Sequence, residues 1–454
     1  MLGAFVALVF LMGGGSRDDI SSLILLRPAA ILFAAYALTV ARPGDFAALR
    51  VPLLLLLALA GWMLLQLIPL PHAVWSGLPG RAMIAANDQL AGLGEIWRPL
   101  TLSPAKTMNS LGSLVVPAAA LLLYGIQDDA DRRRILPMFM IVAAFSALLG
   151  IAQIASGGDG PLYLYATTNL HEVVGLFSNR NHNAVFLATM LVIAGYLFSE
   201  HRRLHSGGNA WLGAILIAAC CLLVMSTLLI NKSRAGLLIG LLAIGIGVSL
   251  YVAGFRRDED GHARPGLPLN WITIAGVVCV SALGAAALFV NAASFDRLVT
   301  MSVAEDTRAQ VLPQIIAMAQ DNWLFGTGFG SFEYVYRTYE VGQSLMPEYL
   351  NNAHDDWLQW IIEGGLPAIL IGSFFFLWLA RTAIAQWRLR QTEGPRTLQV
   401  AMALAILLLL LLASALDYPL RVPSMMLYAV TMVALIAQPP EAKAKASRRH
   451  GGRG

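Results

Sequence analysis

Residues 51–70 read VPLLLLLALAGWMLLQLIPL, a run of 20 residues without a charged side chain. A helix of about 20 apolar residues is long enough to cross the roughly 30 Å hydrocarbon core of a bilayer. Similar runs recur along the 454-residue chain, which is 57% hydrophobic and 13% charged. Soluble domains carry about 25% charged residues. The pattern therefore predicts an all-α, polytopic integral membrane protein without a large soluble domain.

Twelve membrane spans are predicted from these runs. They lie at residues 2–14, 22–41, 51–70, 108–125, 136–154, 183–198, 211–230, 236–254, 271–292, 366–384, 398–416 and 423–438. The first run is short, so whether it spans fully is open, and a re-entrant hairpin with the second run is the alternative. Four segments result: spans 1–9 in residues 1–292 with an interfacial outer loop at 71–107, a large helical outer loop at 293–365, spans 10–12 in residues 366–438, and a disordered basic tail at 439–454.

The basic residues orient these spans. With the N-terminus in the cytoplasm, 19 of the 31 Lys and Arg residues fall in inner loops or in the tail. The positive-inside rule then predicts that both termini are cytoplasmic and that the two long loops lie on the outer side of the membrane. The net charge of +4 follows from the inner loops and gives no reason to expect nucleic acid.

Cofactor motifs are not found in the sequence. The three cysteines, Cys220, Cys221 and Cys279, all fall within predicted spans, which favours structural thiols over a disulfide framework. There is no zinc-type Cys/His spacing, P-loop or dinucleotide fingerprint. We therefore predict no cofactor, and any chemistry must use an activated substrate.

Four polar clusters lie at the predicted outer ends of spans, at residues 178–183, 231–234, 351–356 and 417–421. A tight turn needs polar residues in any case, and arginine at a helix end often extends its head into water. The positive-inside rule nevertheless disfavours Arg180, Lys232, Arg234 and Arg421 at these ends. An anionic ligand at the outer leaflet would offset that cost, and the arginine fork suits phosphate oxygens.

His354 offers a different chemistry. It is a titratable base beside Asp355 and Asp356, which are predicted to orient it and to favour its protonated form. A loop histidine is often structural, but beside an arginine-lined phosphate site it can activate or orient a hydroxyl nucleophile. His182 competes with it; its amide neighbour Asn181 favours a capping or substrate-orienting role.

These residues resemble the O-antigen ligase and O-antigen polymerase superfamily of membrane glycosyltransferases. The matching motifs are FSNRNH at 177–182, SRAG at 233–236, Arg308, NWLFGTG at 322–328, AHDDWLQ at 353–359 and EGGLP at 363–367. The resemblance covers roughly residues 110–435 and is most specific around His354. The family commonly has asparagine after this histidine, where this chain has Asp355.

The resemblance implies a GT-C-like fold and a metal-independent, inverting transfer of an undecaprenyl-diphosphate-linked glycan to a hydroxyl in the outer leaflet. Arg180 and Arg234 would bind the diphosphate, with Arg308 as a third contact, and His354 would act on the acceptor. The other candidate substrate-binding residues are His182, Asn181, Lys232, Asp355, Asp356 and Arg421.

Several outcomes remain open. An O-antigen ligase joins the glycan to lipid A-core, and an O-antigen or exopolysaccharide polymerase joins it to a second lipid-linked glycan. A protein O-oligosaccharyltransferase joins it to serine or threonine, but no extra outer domain is available to recognise a protein. A lipid or polysaccharide transporter should carry ionisable residues at mid-membrane, and the predicted spans are almost free of charge at their centres. We therefore expect a ligase first and a polymerase almost equally.

Overall fold

The computed structural model describes residues 1–204, 210–255, 307–340, 350–388 and 394–438. Helices dominate these ranges, so the predicted all-α class is confirmed. The helices are α1 (Leu2–Met12), α2 (Leu23–Val40), α3 (Arg50–Gln66), α4 (His72–Trp75), α5 (Ala82–Leu90), α6 (Pro104–Ser113), α7 (Val115–Gly125), α8 (Asp129–Ala155), α9 (Arg180–Leu204), α10 (Ala210–Ile230), α11 (Arg234–Phe255), α12 (Thr307–Asn322), α13 (Phe332–Tyr336), α14 (Asp356–Arg388), α15 (Gly394–Ser414) and α16 (Pro423–Ala437).

Membrane-spanning helices account for most of this architecture. In the described part of the chain, eight helical segments are long and apolar enough to cross a membrane, with α6 and α7 forming one of them. Three shorter apolar helices, α1, α3 and α16, lie at further predicted spans. The span predicted at 271–292 and the tail at 439–454 lie outside the described residues. A polytopic membrane protein is thereby confirmed.

Helix α1 is too short to cross a bilayer by itself. Its 11 residues rise about 16 Å, roughly half of the hydrocarbon thickness. Phe5, Val6 and Val9 are fully buried, and Phe10 packs edge-on against Phe177. The first predicted span is therefore a buried core helix beside α2 and α16.

Helix α9 lies at the centre of the bundle and contacts α8, α10, α11 and α15. Glycines let α9 and α11 approach closely, since a Cβ on Gly195 would lie 2.1 Å from the Gly247 carbonyl oxygen. Nearer the helix starts, a Cβ on Gly236 would lie 2.3 Å from Ala184. Early residues of α9 thus face early residues of α11, so the two helices are parallel and their N-termini lie at the same end.

The outer segments pack as short elements on this bundle. In the first, α4 and α5 replace one long interfacial helix, and a two-residue antiparallel strand pair, β1 (Pro69–Leu70) with β2 (Arg98–Pro99), closes the segment. In the second, α12 and α13 form one apolar cluster with α14 that includes Val311, Ile315, Phe332 and Ile362.

A kink divides α14 into a loop half and a span half. Helix α14 starts at Asp356 and continues into the span predicted at 366–384, with Gly365 at φ 60°. The glycine-rich turn at 326–330 packs here, because a Cβ on Gly326 would lie 2.4 Å from the Glu363 carbonyl oxygen. The turn therefore packs closely against the kink of α14.

Candidate functional site

Hydrogen bonds join the four polar clusters into one site. Asn181 donates through Nδ2 to Asp417 Oδ2 at 2.8 Å, and its Oδ1 accepts from Ser233 Oγ at 2.9 Å. The other oxygen of Asp417, Oδ1, lies 3.2 Å from His354 Nδ1. Residues from α9, from the α10–α11 turn, from the loop before α14 and from the turn before α16 therefore meet at the same end of the bundle.

Asp417 fixes the tautomer of His354. The Asp417 side chain is 3% exposed, and its Oδ1 also accepts from the backbone N–H of Tyr418 at 3.0 Å. When Asp417 is ionised it can only accept hydrogen bonds, so it favours the tautomer of the neutral imidazole that has its hydrogen on Nδ1 and its lone pair on Nε2. The His354 ring is 20% exposed and rests on the Tyr418 ring at 4.9 Å between centroids.

The backbone is strained at His354. Its φ of 52° lies in the left-handed region, which residues other than glycine seldom adopt. Among the described residues, the other non-glycine residues with positive φ are His171 and Lys232, at 59° each. Such conformations collect at functional sites because surrounding contacts must hold them. Here Gln359 helps, since its Oε1 accepts from the N–H of Ala353 at 2.9 Å.

The prediction that Asp355 and Asp356 orient His354 is wrong. Asp355 Oδ1 accepts from the backbone N–H groups of Trp357 and Leu358 at 2.9 and 3.1 Å, so this carboxylate caps α14. Burial raises the pKa of the Asp355 carboxyl, although these two backbone donors act in the opposite direction. Asp356 accepts instead from Arg421. The carboxylate facing the imidazole is Asp417.

Basic residues gather at the N-termini of α9 and α11. Arg180 opens α9 and its Nη1 lies 2.6 Å from Glu172 Oε1, while Lys232 Nζ lies 3.9 Å from Glu172 Oε2. Arg234 opens α11 and is exposed. Asn231 ties the two helix starts together by donating to the Arg180 carbonyl oxygen at 3.1 Å. Parallel helix N-termini carry partial positive charge, so this end of the bundle suits an anion. We call Arg180, Lys232 and Arg234 the basic cluster.

Arg421 is held by two carboxylates. Its Nε lies 3.0 Å from Asp356 Oδ1, and its Nη1 lies 3.1 Å from Glu363 Oε2. Burial alone would lower the pKa of the guanidinium, but Glu363 and Asp356 hold it above the ordinary value. Glu363 is fully buried and also accepts from Gln359 Nε2 at 2.9 Å. Arg421 therefore braces the loop half of α14 against the turn before α16, and its role in substrate binding stays a prediction.

The structure gives fewer contacts for two other predicted substrate-binding residues, His182 and Arg308. His182 is 1% exposed, and its ring meets the Tyr418 ring edge-on at 5.2 Å, so Tyr418 lies between the two candidate histidines. A capping or orienting role for His182 stays a prediction. Arg308 belongs to α12, but its side chain lies outside the described part.

Within the described ranges, no three His, Cys, Asp or Glu side chains are grouped so that they could hold a metal ion.

Three carboxylates of this site were not predicted as partners of its histidine or its cations: Asp417, Glu172 and Glu363. Asp417 stood in one of the polar clusters, which was the available signal. Glu172 and Glu363 had no signal in the sequence for a contact with a particular cation. The pairs of Asp417 with His354 and of Glu363 with Arg421 join residues 63 and 58 positions apart, which only the tertiary fold brings together.

A cavity of about 1020 Å³ lies beside this site. Its walls are apolar side chains from α2, α3, α7, α14, α15 and α16, and its polar end includes Asn351, Asn352, Asp356 and Arg421. The lining, among described residues, does not include His354 or the basic cluster. The cavity therefore borders the His354 loop at Asn351 and Asn352, whereas hydrogen bonds through Asn181 and Asp417 connect that loop to the basic cluster.

Part of the chain matches a known protein family. Residues 218–373 match the family model described as O-antigen ligase. The predicted family resemblance is confirmed. A comparison with curated proteins found no match.

The O-antigen ligase match, residues 218–373, holds one part of the site. Lys232, Arg234 and His354 lie inside it, whereas Arg180 and Asp417 lie outside it on flanking elements. Asp355 and Asp356 are also inside, and Asn181, His182 and Arg421 are outside. Together with the helical membrane fold, the O-antigen ligase match supports an activity of the glycan ligase or polymerase type in general.

Proposed function

We propose that this chain is an O-antigen ligase that transfers a glycan from undecaprenyl diphosphate to a hydroxyl of lipid A-core at the periplasmic face of the inner membrane. One observation carries the proposal. A single chain of hydrogen bonds runs from His354 through Asp417 and Asn181 to Ser233, which precedes Arg234. It couples a base for the acceptor to an anion site for the donor.

The basic cluster binds the diphosphate in this proposal. Arg180 and Lys232 share Glu172, and phosphate oxygens can replace a carboxylate as their partner. The bond to the diphosphate breaks with its electron pair on the leaving oxygen, so negative charge grows at the helix N-termini as the reaction proceeds. Positioned cations that meet growing charge stabilise the transition state. They meet it here without a metal ion.

His354 acts on the acceptor. The acceptor oxygen attacks the anomeric carbon opposite the diphosphate, which inverts that carbon, and the hydroxyl proton passes to His354 Nε2. Undecaprenyl diphosphate leaves as the anion. Asp417, 3.2 Å from Nδ1, stabilises the imidazolium that forms and keeps the ring in one orientation. His354 then returns the proton to water.

A polymerase uses the same donor and differs only in the acceptor, a second lipid-linked glycan. Deleting the gene separates the two activities. Loss of banded lipopolysaccharide, with polymer still on the lipid carrier, is the result expected for a ligase. Single-repeat products indicate a polymerase. Normal lipopolysaccharide and normal secreted polysaccharide would contradict both.

The proposed topology places α12 and α13 in the periplasm and the start of α8 in the cytoplasm. Single cysteines at Glu340 and Asp131, on a background without the native cysteines, test it. A membrane-impermeant thiol reagent added to cells with a permeabilised outer membrane should label position 340 and not 131. The reverse labelling pattern would invert the orientation and remove the basis for a periplasmic site.

A further inference from the structure

Arg27 is a cation in an apolar helix that faces the large cavity. It lies four residues past the start of α2, about 6 Å along the helix axis from Leu23. Neighbouring Ile24, Leu25 and Ile31 are exposed on the outer surface of the same helix, whereas Arg27 lines the cavity. A charged side chain within a span is expensive and is kept where it meets a partner or a ligand.

Arg27 is bonded differently from the other cations of the lining. Arg17 pairs with Asp19 at 2.7 Å, and Lys106 pairs with Asp18 at 2.9 Å. Arg421 is likewise held by two carboxylates.

The Nη2 atom of Arg27 donates to the Asn109 carbonyl oxygen at 3.3 Å. Its Nε is buried and has no hydrogen-bond partner among the described residues. The carboxylate whose charge acts on Arg27 is Asp18, which is already engaged by Lys106. Among the described residues Arg27 thus has no carboxylate of its own, and an anion entering the cavity would meet its guanidinium.

The shape of the cavity indicates what kind of anion this is. Apolar side chains such as Leu59, Leu121 and Phe375 form its walls, and the cations lie at one end. A molecule with several hydrocarbon chains and a phosphorylated head matches a cavity with apolar walls and cations at one end. Its chains bury apolar surface, and its phosphate meets Arg27. A free sugar or a soluble nucleotide would leave the apolar walls uncovered.

The position of the cavity indicates which substrate it serves. It reaches the His354 loop through Asn351 and Asn352, whereas the basic cluster reaches His354 through Asn181 and Asp417. If the donor diphosphate occupies the basic cluster, the cavity remains for the lipid that carries the acceptor hydroxyl.

We infer that the cavity binds the acceptor lipid, a phosphorylated and multiply acylated glycolipid of the lipid A class, and that Arg27 binds one of its phosphates. This inference rests on the proposed function for the assignment of donor and acceptor. It adds a second anion site, about one helical turn inside α2, to the one at the basic cluster.

Lipid retention by the purified full-length protein tests the inference without turnover. The probes are bisphosphorylated lipid A and undecaprenyl diphosphate, each titrated separately and followed by native mass spectrometry. Arg27→Gln should weaken lipid A retention about tenfold, since one charge-assisted hydrogen bond is lost, and leave undecaprenyl diphosphate retention unchanged. Arg27→Lys keeps the charge and should retain most of the affinity for lipid A.

The matched control is Arg134→Gln, the same substitution at a side chain that is 79% exposed on α8. It should leave retention of both lipids unchanged. Unaltered lipid A retention in Arg27→Gln would overturn the inference, and so would a selective loss of undecaprenyl diphosphate, which would assign the cavity to the donor.

A second measurement needs no variant. Removing both phosphates from lipid A should weaken its retention by the unmodified protein at least as much as Arg27→Gln does, and equal retention of the two forms would overturn the inference. Retention of lipid A by a protein that transfers no glycan would refute the proposed function and leave this site standing.

Discussion

Replacing Asp417 with asparagine tests whether the carboxylate at His354 works by charge and orientation. The side chain keeps its size, and an amide oxygen in the place of Oδ2 can still accept from Asn181 Nδ2. The charge that stabilises the imidazolium at 3.2 Å is lost, and the amide can present N–H to Nδ1 and so select the wrong tautomer. In a serine-protease triad the same change lowers kcat about 10⁴-fold.

We expect Asp417→Asn to lower kcat by about 10²–10⁴, which corresponds to about 2.7–5.5 kcal/mol of transition-state stabilisation. Because the basic cluster carries the diphosphate, the KM for the donor should change by less than about threefold. The assay is steady-state transfer by the reconstituted enzyme, with donor retention measured separately. A structural role alone would reduce folded protein and donor retention together, without lowering kcat per folded molecule.

Asp355→Asn serves as the comparison, because it makes the same change beside His354 at a carboxylate that caps α14. It should keep kcat within about threefold, since an asparagine can cap a helix as well as an aspartate does. Near-normal kcat in Asp417→Asn, or equal losses in the two variants, would refute the assignment of Asp417 as the positioning residue.

Three further results are expected. Arg234→Lys should lower kcat/KM about ten- to a hundredfold, because an ammonium cannot reproduce a two-pronged contact with phosphate, and full activity would mean that Arg234 only anchors α11. Arg421→Leu should destabilise the protein by about 3–5 kcal/mol in denaturant unfolding, since two carboxylates lose their counter-ion, and unchanged stability would show that these pairs contribute little. The raised pKa of Asp355 means that its ionisation opposes folding above its unfolded-state pKa, so Asp355→Asn should gain stability over wild type as pH rises from 4 to 7, and a constant difference would contradict this.

Hydropathy alone predicted the architecture because the bilayer imposes one length on every spanning helix. All eleven predicted spans that fall within the described residues lie on helices. For residues 2–14 the sequence left open whether the run spans fully, and these residues form the short helix α1. An apolar run that is too short for the membrane is equally suited to burial in the bundle, and hydropathy does not separate the two.

Residue chemistry located the site but not its internal contacts. The polar clusters were recognisable because cations at outer helix ends are unusual. Asp355 and Asp356 were assigned to His354 because they are adjacent in sequence, yet helix capping and Arg421 engage them. The carboxylate that faces the imidazole lies 63 residues away, and only the packing of α14 against the turn before α16 brings it there.

Arg27 was not singled out by the sequence. It lies in an apolar run, where one arginine near the outer end is compatible with snorkelling. Which face of α2 is covered depends on its packing against α1 and α7, and the carbonyl that accepts from the guanidinium belongs to Asn109 of α6. A cavity formed by helices from distant parts of the chain has no local pattern in the sequence.

Transfer in a purified system tests the central claim most directly. The protein, reconstituted in liposomes with EDTA present, is given undecaprenyl-diphosphate-linked glycan and lipid A-core. The expected result is banded glycolipid together with one undecaprenyl diphosphate released per glycan transferred, both abolished in His354→Asn, which tolerates the left-handed backbone at this position. Unchanged donor, or full transfer by His354→Asn, would contradict the account.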